Sequence, residues 1–260
     1  MIKKLAFFIL FLIVGFFVFL PIPELSLIKE SSKVTYLDRH GDFLGHHYLN
    51  GHGSNIPLSR IPSAFIDLLL IAEDKNFYEH SGIDLKALSR AMIQNISSLR
   101  IVSGASTLTQ QLVRVVFDYD RNFLSKLLVM LHTLKVELFL DKGEILELYL
   151  NLIPFSNQQI GIANASNFYF DKSVDQLSLS EMSTLVALIR SPSSLSSKKG
   201  LNRLTEIKNN ILKIFLSENN YSDEQIALNL NSNVDFVKAR DISTANHFIN
   251  FILLKLLPKD

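Results

Sequence analysis

Two carboxylates stand side by side where an apolar run ends. The segment Ile71-Ala72-Glu73-Asp74-Lys75-Asn76-Phe77-Tyr78-Glu79-His80-Ser81-Gly82-Ile83-Asp84 continues directly from Leu68-Leu69-Leu70. A carboxylate at that point is partly withdrawn from water, which suits a group that must take up a proton during a reaction. Alone, the pair reads more simply as an exposed Glu-Asp at a helix end, because carboxylates are rarely buried. A second segment, Gly104-Ala105-Ser106-Thr107-Leu108-Thr109-Gln110-Gln111-Leu112-Val113-Arg114, puts five hydrogen-bonding side chains into six positions and an arginine one turn on. Uncharged donors beside a cation fit the oxygens of a sugar or phosphate. Arg121 and Lys126 add two cations downstream. In isolation this segment too has a plainer account, a polar helix start capped by Ser or Thr.

The segments say more together than singly. EDKNFYEHSGID, GASTLTQQ, KGEILELYLN and RSPSSL follow one another in this order. With Ile160-Gly161-Ile162 and Phe168-Tyr169-Phe170-Asp171-Lys172-Ser173, they make the chain resemble glycosyltransferase family 51, the peptidoglycan glycosyltransferases. The likeness runs from about residue 34 to about residue 230 and is to the monofunctional type. It implies a mainly α, lysozyme-like helical domain with a small membrane-dipping lobe, behind a single N-terminal anchor. The implied reaction joins a growing lipid-linked glycan chain to lipid II, inverts the anomeric centre and releases lipid diphosphate. The partners it implies are those two substrates, the membrane and other cell-wall synthesis proteins.

The resemblance also gives residues roles. Glu73 matches the family's catalytic base; inverting transfer needs a base across the sugar ring from the departing group. Arg114, Arg121 and Lys126 match its basic positions at the diphosphate, whose charge must be stabilised as it develops. Ser106, Thr107, Thr109, Gln110 and Gln111 match its polar substrate-binding donors. Asp74, Phe77, His80 and Gly82 are expected to hold Glu73 in place, His80 as a structural histidine.

One position departs from the pattern. The family has a second glutamate eight residues after the position of Arg121, and this chain has Val129 there, with Ser125 where a basic residue is usual. No carboxylate lies between Asp120 and Glu137. In the resemblance that glutamate helps organise the diphosphate, with or without a divalent cation such as Mg2+, and valine can neither bind a metal nor orient Lys126. Slow turnover is therefore expected, with a gain in rate for Val129→Glu. The alternative is a catalytically impaired member that binds lipid-linked glycan or a cell-wall partner. A lytic muramidase does not need the basic cluster. A transpeptidase is not supported, because Ser26 to Lys29 and Ser196 to Lys199 fit the SxxK spacing without the accompanying motifs.

The elements that must position these residues can be read in turn. Hydrophobic residues form 48% of the 260 and charged residues 20%, which points to membrane contact. The net charge of +1 leaves no case for nucleic-acid binding, and the absence of cysteine excludes disulfides and thiolate metal sites. Residues 5–20 carry no charge and follow Lys3 and Lys4, so residues 1–24 are expected to be a cytoplasmic stub and an uncleaved transmembrane anchor. That places the rest of the chain on the outer face of the cytoplasmic membrane. Residues 33–49 read as a short β-hairpin, and from about residue 60 the pattern is helical.

Capping signals mark helix starts at Asp84, at Asp141 with Glu144, at Ser178 with Glu181 and at Ser222 with Gln225. The stretch from Asn122 to Leu140 is apolar on nearly every face, as expected of a core helix or of one touching lipid. Ser191 to Gly200 reads as a polar loop. The glycosyltransferase domain is placed at 25–235 and a helical tail at 236–260.

Overall fold

The computed structural model describes residues 15, 19–22, 33–37, 43–48, 55–98, 106–120, 122–155, 159–232 and 234. The anchor, apart from a few residues, and the tail at 236–260 lie outside the described residues. So do Ser26 to Lys29. Among the described residues no helix is long and apolar enough to cross a membrane. What is described is mainly helical. Strands β1 (Lys33–Leu37) and β2 (Phe43–Tyr48) pair antiparallel, Lys33 opposite Tyr48 and Leu37 opposite Phe43, with a shift in register after Tyr36.

Among the described residues nine α-helices follow: α1 (Ser63–Glu73), α2 (Leu85–Ser98), α3 (Leu108–Val116), α4 (Phe123–Phe139), α5 (Lys142–Leu152), α6 (Ile162–Phe170), α7 (Leu179–Arg190), α8 (Lys198–Glu218) and α9 (Asp223–Asn231). Helix α7 is the axis of the core. Every residue from Ser180 to Ile189 is buried, and the helix packs against α8 on one side and α1 on another. Helix α3 lies across α4 and α5, so the second sequence segment is sandwiched between two apolar helices.

Burial supplies the energy and the caps set the register. A fully buried leucine such as Leu185 or Leu188 is worth about 1.5–3 kcal/mol, against about 1 kcal/mol for a cap. The capping boxes at Asp141/Glu144, Ser178/Glu181 and Ser222/Gln225 are all formed, each with its reciprocal pair of bonds. Asp84 starts α2 by accepting the Ala87 N–H at 2.8 Å. Asn122 starts α4 by accepting the Ser125 N–H at 2.8 Å.

Two readings change. Ser191 to Gly200 is not a loop throughout: Pro192–Ser196 forms a 3₁₀ turn and α8 begins at Lys198. The start is hidden in a polar run, where Ser197 caps Gly200 and a side chain at Gly200 would meet the Ser194 carbonyl at 2.2 Å. Helix α4 is both a core helix and an exposed apolar one. Val129, His132, Thr133 and Val136 form its buried stripe, while Leu124, Leu127, Leu134, Leu138 and Phe139 remain exposed. Its exposed side has a counterpart on α2, where Leu85, Met92, Ile93 and Ile96 are exposed as well.

Candidate active site

Helix α1 ends at Glu73, and residues from two other helices meet its carboxylate, one of them backed by a third. Gln111 on α3 donates from Nε2 to Glu73 Oε2 at 2.7 Å. Tyr149 on α5 donates its hydroxyl to Gln111 Oε1 at 3.1 Å. Arg190, the last residue of α7, brings Nε to 3.4 Å from Glu73 Oε1. That last contact is an ion pair without hydrogen-bond alignment, and Oε1 has no hydrogen-bond partner among the described residues. The Glu73 side chain is 12% exposed and that of Arg190 is 49% exposed. Tyr149 is fully buried. Burial, then the charges of Glu73 and Asp74, push its phenol well above 10, so it remains a donor at any working pH.

The residues after Glu73 are stitched to α3. Gly82 N–H donates to His80 Nδ1 at 3.1 Å, which fixes the ring hydrogen on Nε2. Nε2–H then donates to Asp74 Oδ1 at 2.9 Å, and Asp74 Oδ2 accepts the Leu108 N–H at 3.0 Å. The Thr107 hydroxyl donates to the Gly82 carbonyl at 2.6 Å. Gly82 has φ +82°, and a Cβ there would lie 2.5 Å from Thr133 Cγ2 and 2.9 Å from Glu137 Cγ. Glycine is therefore required both for the backbone and for the closeness of α4.

Farther along, burial pushes the Asp84 carboxyl up. Hydrogen bonds from the Ala87 N–H and the Asn76 amide outweigh this and hold it below its ordinary 3.8.

A third set locks the same loop from below. Thr109 donates to Glu137 Oε1 at 2.5 Å. Lys142 pairs with Glu137 Oε2 at 2.7 Å, donates to the His80 carbonyl at 2.7 Å and sits 4.3 Å above the buried Phe77 ring. A cavity of about 450 Å3 opens beside this loop, lined by residues that include His80, Ile83, Lys86 and Leu134, while neither Glu73 nor Gln111 lines it.

The polar run on α3 thus divides. Gln111 reaches Glu73, and Ser106 is exposed. Thr107 and Thr109, expected to meet substrate, are buried, with their hydroxyls donated to the Gly82 carbonyl and the Glu137 carboxylate. Gln110 is buried too. Arg114 is half-buried, and its Nε has no partner among the described residues. Lys126 is exposed, and Arg121 lies outside the described residues.

Val129 is 1% exposed and belongs to the apolar core, so a carboxylate at this place would enter the core. The expected gain in rate for Val129→Glu does not fit that burial. Among the described residues no three His, Asp or Glu side chains gather as a metal ion needs. With a core valine at the place of the second glutamate, the donor set does not fit a divalent cation.

Four residues with a part in this geometry had no role in the sequence reading: Tyr149, Arg190, Glu137 and Lys142. Three of them lie inside KGEILELYLN and RSPSSL, motifs that carried the resemblance but named no chemistry. Glu137 had a visible signal, a charge interrupting an apolar helix.

Comparison with known proteins bears on this geometry. A family model described as Transglycosylase matches residues 41–239. Penicillin-binding protein 4 of Bacillus subtilis is 34% identical over 65% of this chain and 27% of its own length. Penicillin-binding protein 1A of Aquifex aeolicus is 33% identical over 76% of this chain and 27% of its own. Penicillin-binding protein 1A of Pseudomonas aeruginosa is 40% identical over 62% of this chain and 20% of its own. The chain spans between a fifth and about a quarter of the length of these curated relatives. The crystal structure of penicillin-binding protein 1A from Haemophilus influenzae superposes with a TM-score of 0.49 and 20% identity, over 88% of this chain and 25% of that one.

Proposed function

Because the chain belongs to the transglycosylase family, we propose that it is a peptidoglycan glycosyltransferase that polymerises lipid II into glycan strands at the outer face of the cytoplasmic membrane. The observation that carries this reading is Glu73. One carboxylate oxygen is held by Gln111, and the other has no hydrogen-bond partner among the described residues.

In the reaction the acceptor hydroxyl gives its proton to Glu73 Oε1 as its oxygen attacks the anomeric carbon of the donor sugar. The bond from that carbon to the lipid diphosphate breaks, and its electron pair leaves with the diphosphate. Arg190, half exposed and paired with nothing else among the described residues, turns aside to let the hydroxyl reach Oε1. Arg114, Arg121 and Lys126 take the charge of the leaving group. No step is routed through a metal. Asp74, His80, Gly82, Phe77, Thr107 and Thr109 keep the loop rigid so that the base does not drift. The exposed apolar sides of α2 and α4 face lipid in this reading, which brings the site to a lipid-linked substrate.

A second reading is favoured by Val129. A member without the second glutamate binds lipid-linked glycan, or another cell-wall synthesis protein, without turnover. A polymerisation assay with lipid II, its products separated by length, decides between them. Long products that vanish with Glu73→Gln support the enzyme, whereas binding of lipid II without any product supports the second reading.

A further inference from the structure

We propose that Tyr149 is a positioning residue of the transfer step, acting through Gln111 to keep Glu73 in the orientation that receives the proton on Oε1. This rests on the reading of Glu73 as the base.

An ionised carboxylate only accepts, so Gln111 must turn its NH2 group to Glu73 Oε2, at 2.7 Å. The other end of that amide is then a carbonyl in a part-buried place, and its partner there must donate. Tyr149 supplies the donor at 3.1 Å. The chain Tyr149 to Gln111 to Glu73 therefore runs one way. A proton on Oε2 would oppose the Gln111 N–H, while a proton on Oε1 leaves every bond intact. Three helices meet in this chain, because Tyr149 belongs to α5, Gln111 to α3 and Glu73 to α1.

Tyr149 is well made for the task. Its ring is fully buried and cannot swing, and its hydroxyl does not ionise in any working range. Without that hydroxyl the half-buried Gln111 carbonyl loses its donor, and the amide gains by turning away to find another. Glu73 Oε2 then loses its partner, and the carboxylate is free to turn.

The test is a double-mutant cycle on the full chain in detergent with lipid II, using Tyr149→Phe, Gln111→Leu and the pair. Phenylalanine keeps the ring that fills the core, and urea unfolding confirms that each variant is folded. Tyr149→Phe is expected to lower kcat on the order of tenfold, the worth of one neutral hydrogen bond, with KM within about twofold of the wild type. In the Gln111→Leu background the same substitution is expected to change kcat by less than about twofold, because there is no amide left to position.

A full loss of kcat in that background means that Tyr149 acts by packing alone, and overturns the proposal. An unchanged kcat in Tyr149→Phe overturns it as well. Glu73→Gln separates the two levels of the claim. If it abolishes turnover while Tyr149→Phe does not reduce it, the base stands and the positioning role falls. If Glu73→Gln is as active as the wild type, both fall.

Discussion

Gln111 Nε2 lies 2.7 Å from Glu73 Oε2, across 38 residues of chain, and with the bonds from Leu108 to Asp74 and from Thr107 to Gly82 it joins the two sequence segments that first drew notice. It explains why neither segment is informative alone. The carboxylate ends α1, the amide sits on α3, and α5 supplies the tyrosine behind the amide.

Glu73→Gln is the cleanest probe of the base. A glutamine at position 73 still offers a carbonyl to the Gln111 NH2 group, so the local bonding survives while proton uptake is lost. Turnover of lipid II is expected to fall by a factor on the order of 10²–10⁴, with binding retained. A variant that polymerises at the wild-type rate rules out the assigned mechanism.

Much of this site was legible, and the part that was not has a physical reason. Helix starts were readable because a cap is local: the side chain and the N–H it satisfies lie within four residues, as at Asp141 and Ser178. The motif order gave Glu73 and Gln111. The fates of Thr107 and Thr109 were not readable, because their partners Gly82 and Glu137 are 25 and 28 residues away. A hydroxyl that binds substrate and one that braces a loop look alike until its partner is known. Tyr149 was hidden for the opposite reason, since a tyrosine in an apolar helix reads as core, and here it is core with a polar tip.

Gly82→Ala tests the loop that carries His80. The added methyl must adopt φ +82° and overlaps Thr133 and Glu137. Strain and overpacking together are expected to cost about 2–4 kcal/mol, read from urea unfolding. Lipid II turnover should fall with it, because the bonds from Gly82 to His80 and Thr107 shift. A variant of unchanged stability would mean that α4 yields at this point.

His132 gives the stability a pH dependence. It is fully buried, 4.1 Å between ring centroids from Phe117, with its Nδ1 facing the Tyr119 hydroxyl and its Nε2 facing the Pro21 carbonyl. Burial first, and the charge of Lys135, hold its pKa below the ordinary 6.5, although the Pro21 carbonyl works the other way. As pH falls the unfolded chain therefore binds this proton before the folded one does. The contribution is complete above about pH 6.5 and is lost as pH drops from there toward the folded value, at no more than about 1.4 kcal/mol per pH unit. Urea midpoints at pH 7.5 and 5.5 should separate more for the wild type than for His132→Gln. Equal separations would show that the imidazole titrates alike in both states.

Val129→Glu decides what the departure from the family pattern means. On α4 the buried stripe Val129, His132, Thr133 and Val136 faces inward, and Ser125 one turn earlier is buried as well. A glutamate placed there meets apolar neighbours, and an isolated charge in such surroundings takes up a proton or forces the helix to move. The side chain is also longer than valine, which adds overpacking. One compensation is at hand: Thr133 Oγ1, one turn on, is buried and has no hydrogen-bond partner among the described residues, so it can donate to the new group. The balance is expected to remain unfavourable by about 2 kcal/mol or more, read from urea unfolding, with no gain in polymerisation rate per folded molecule. If stability is instead unchanged and the rate rises, the side chain at 129 turns outward toward the basic residues, and the missing glutamate is what limits turnover. If stability falls and the rate does not change, the core has been rebuilt around valine, and the charge of the leaving group is met by Arg114, Arg121 and Lys126 without it.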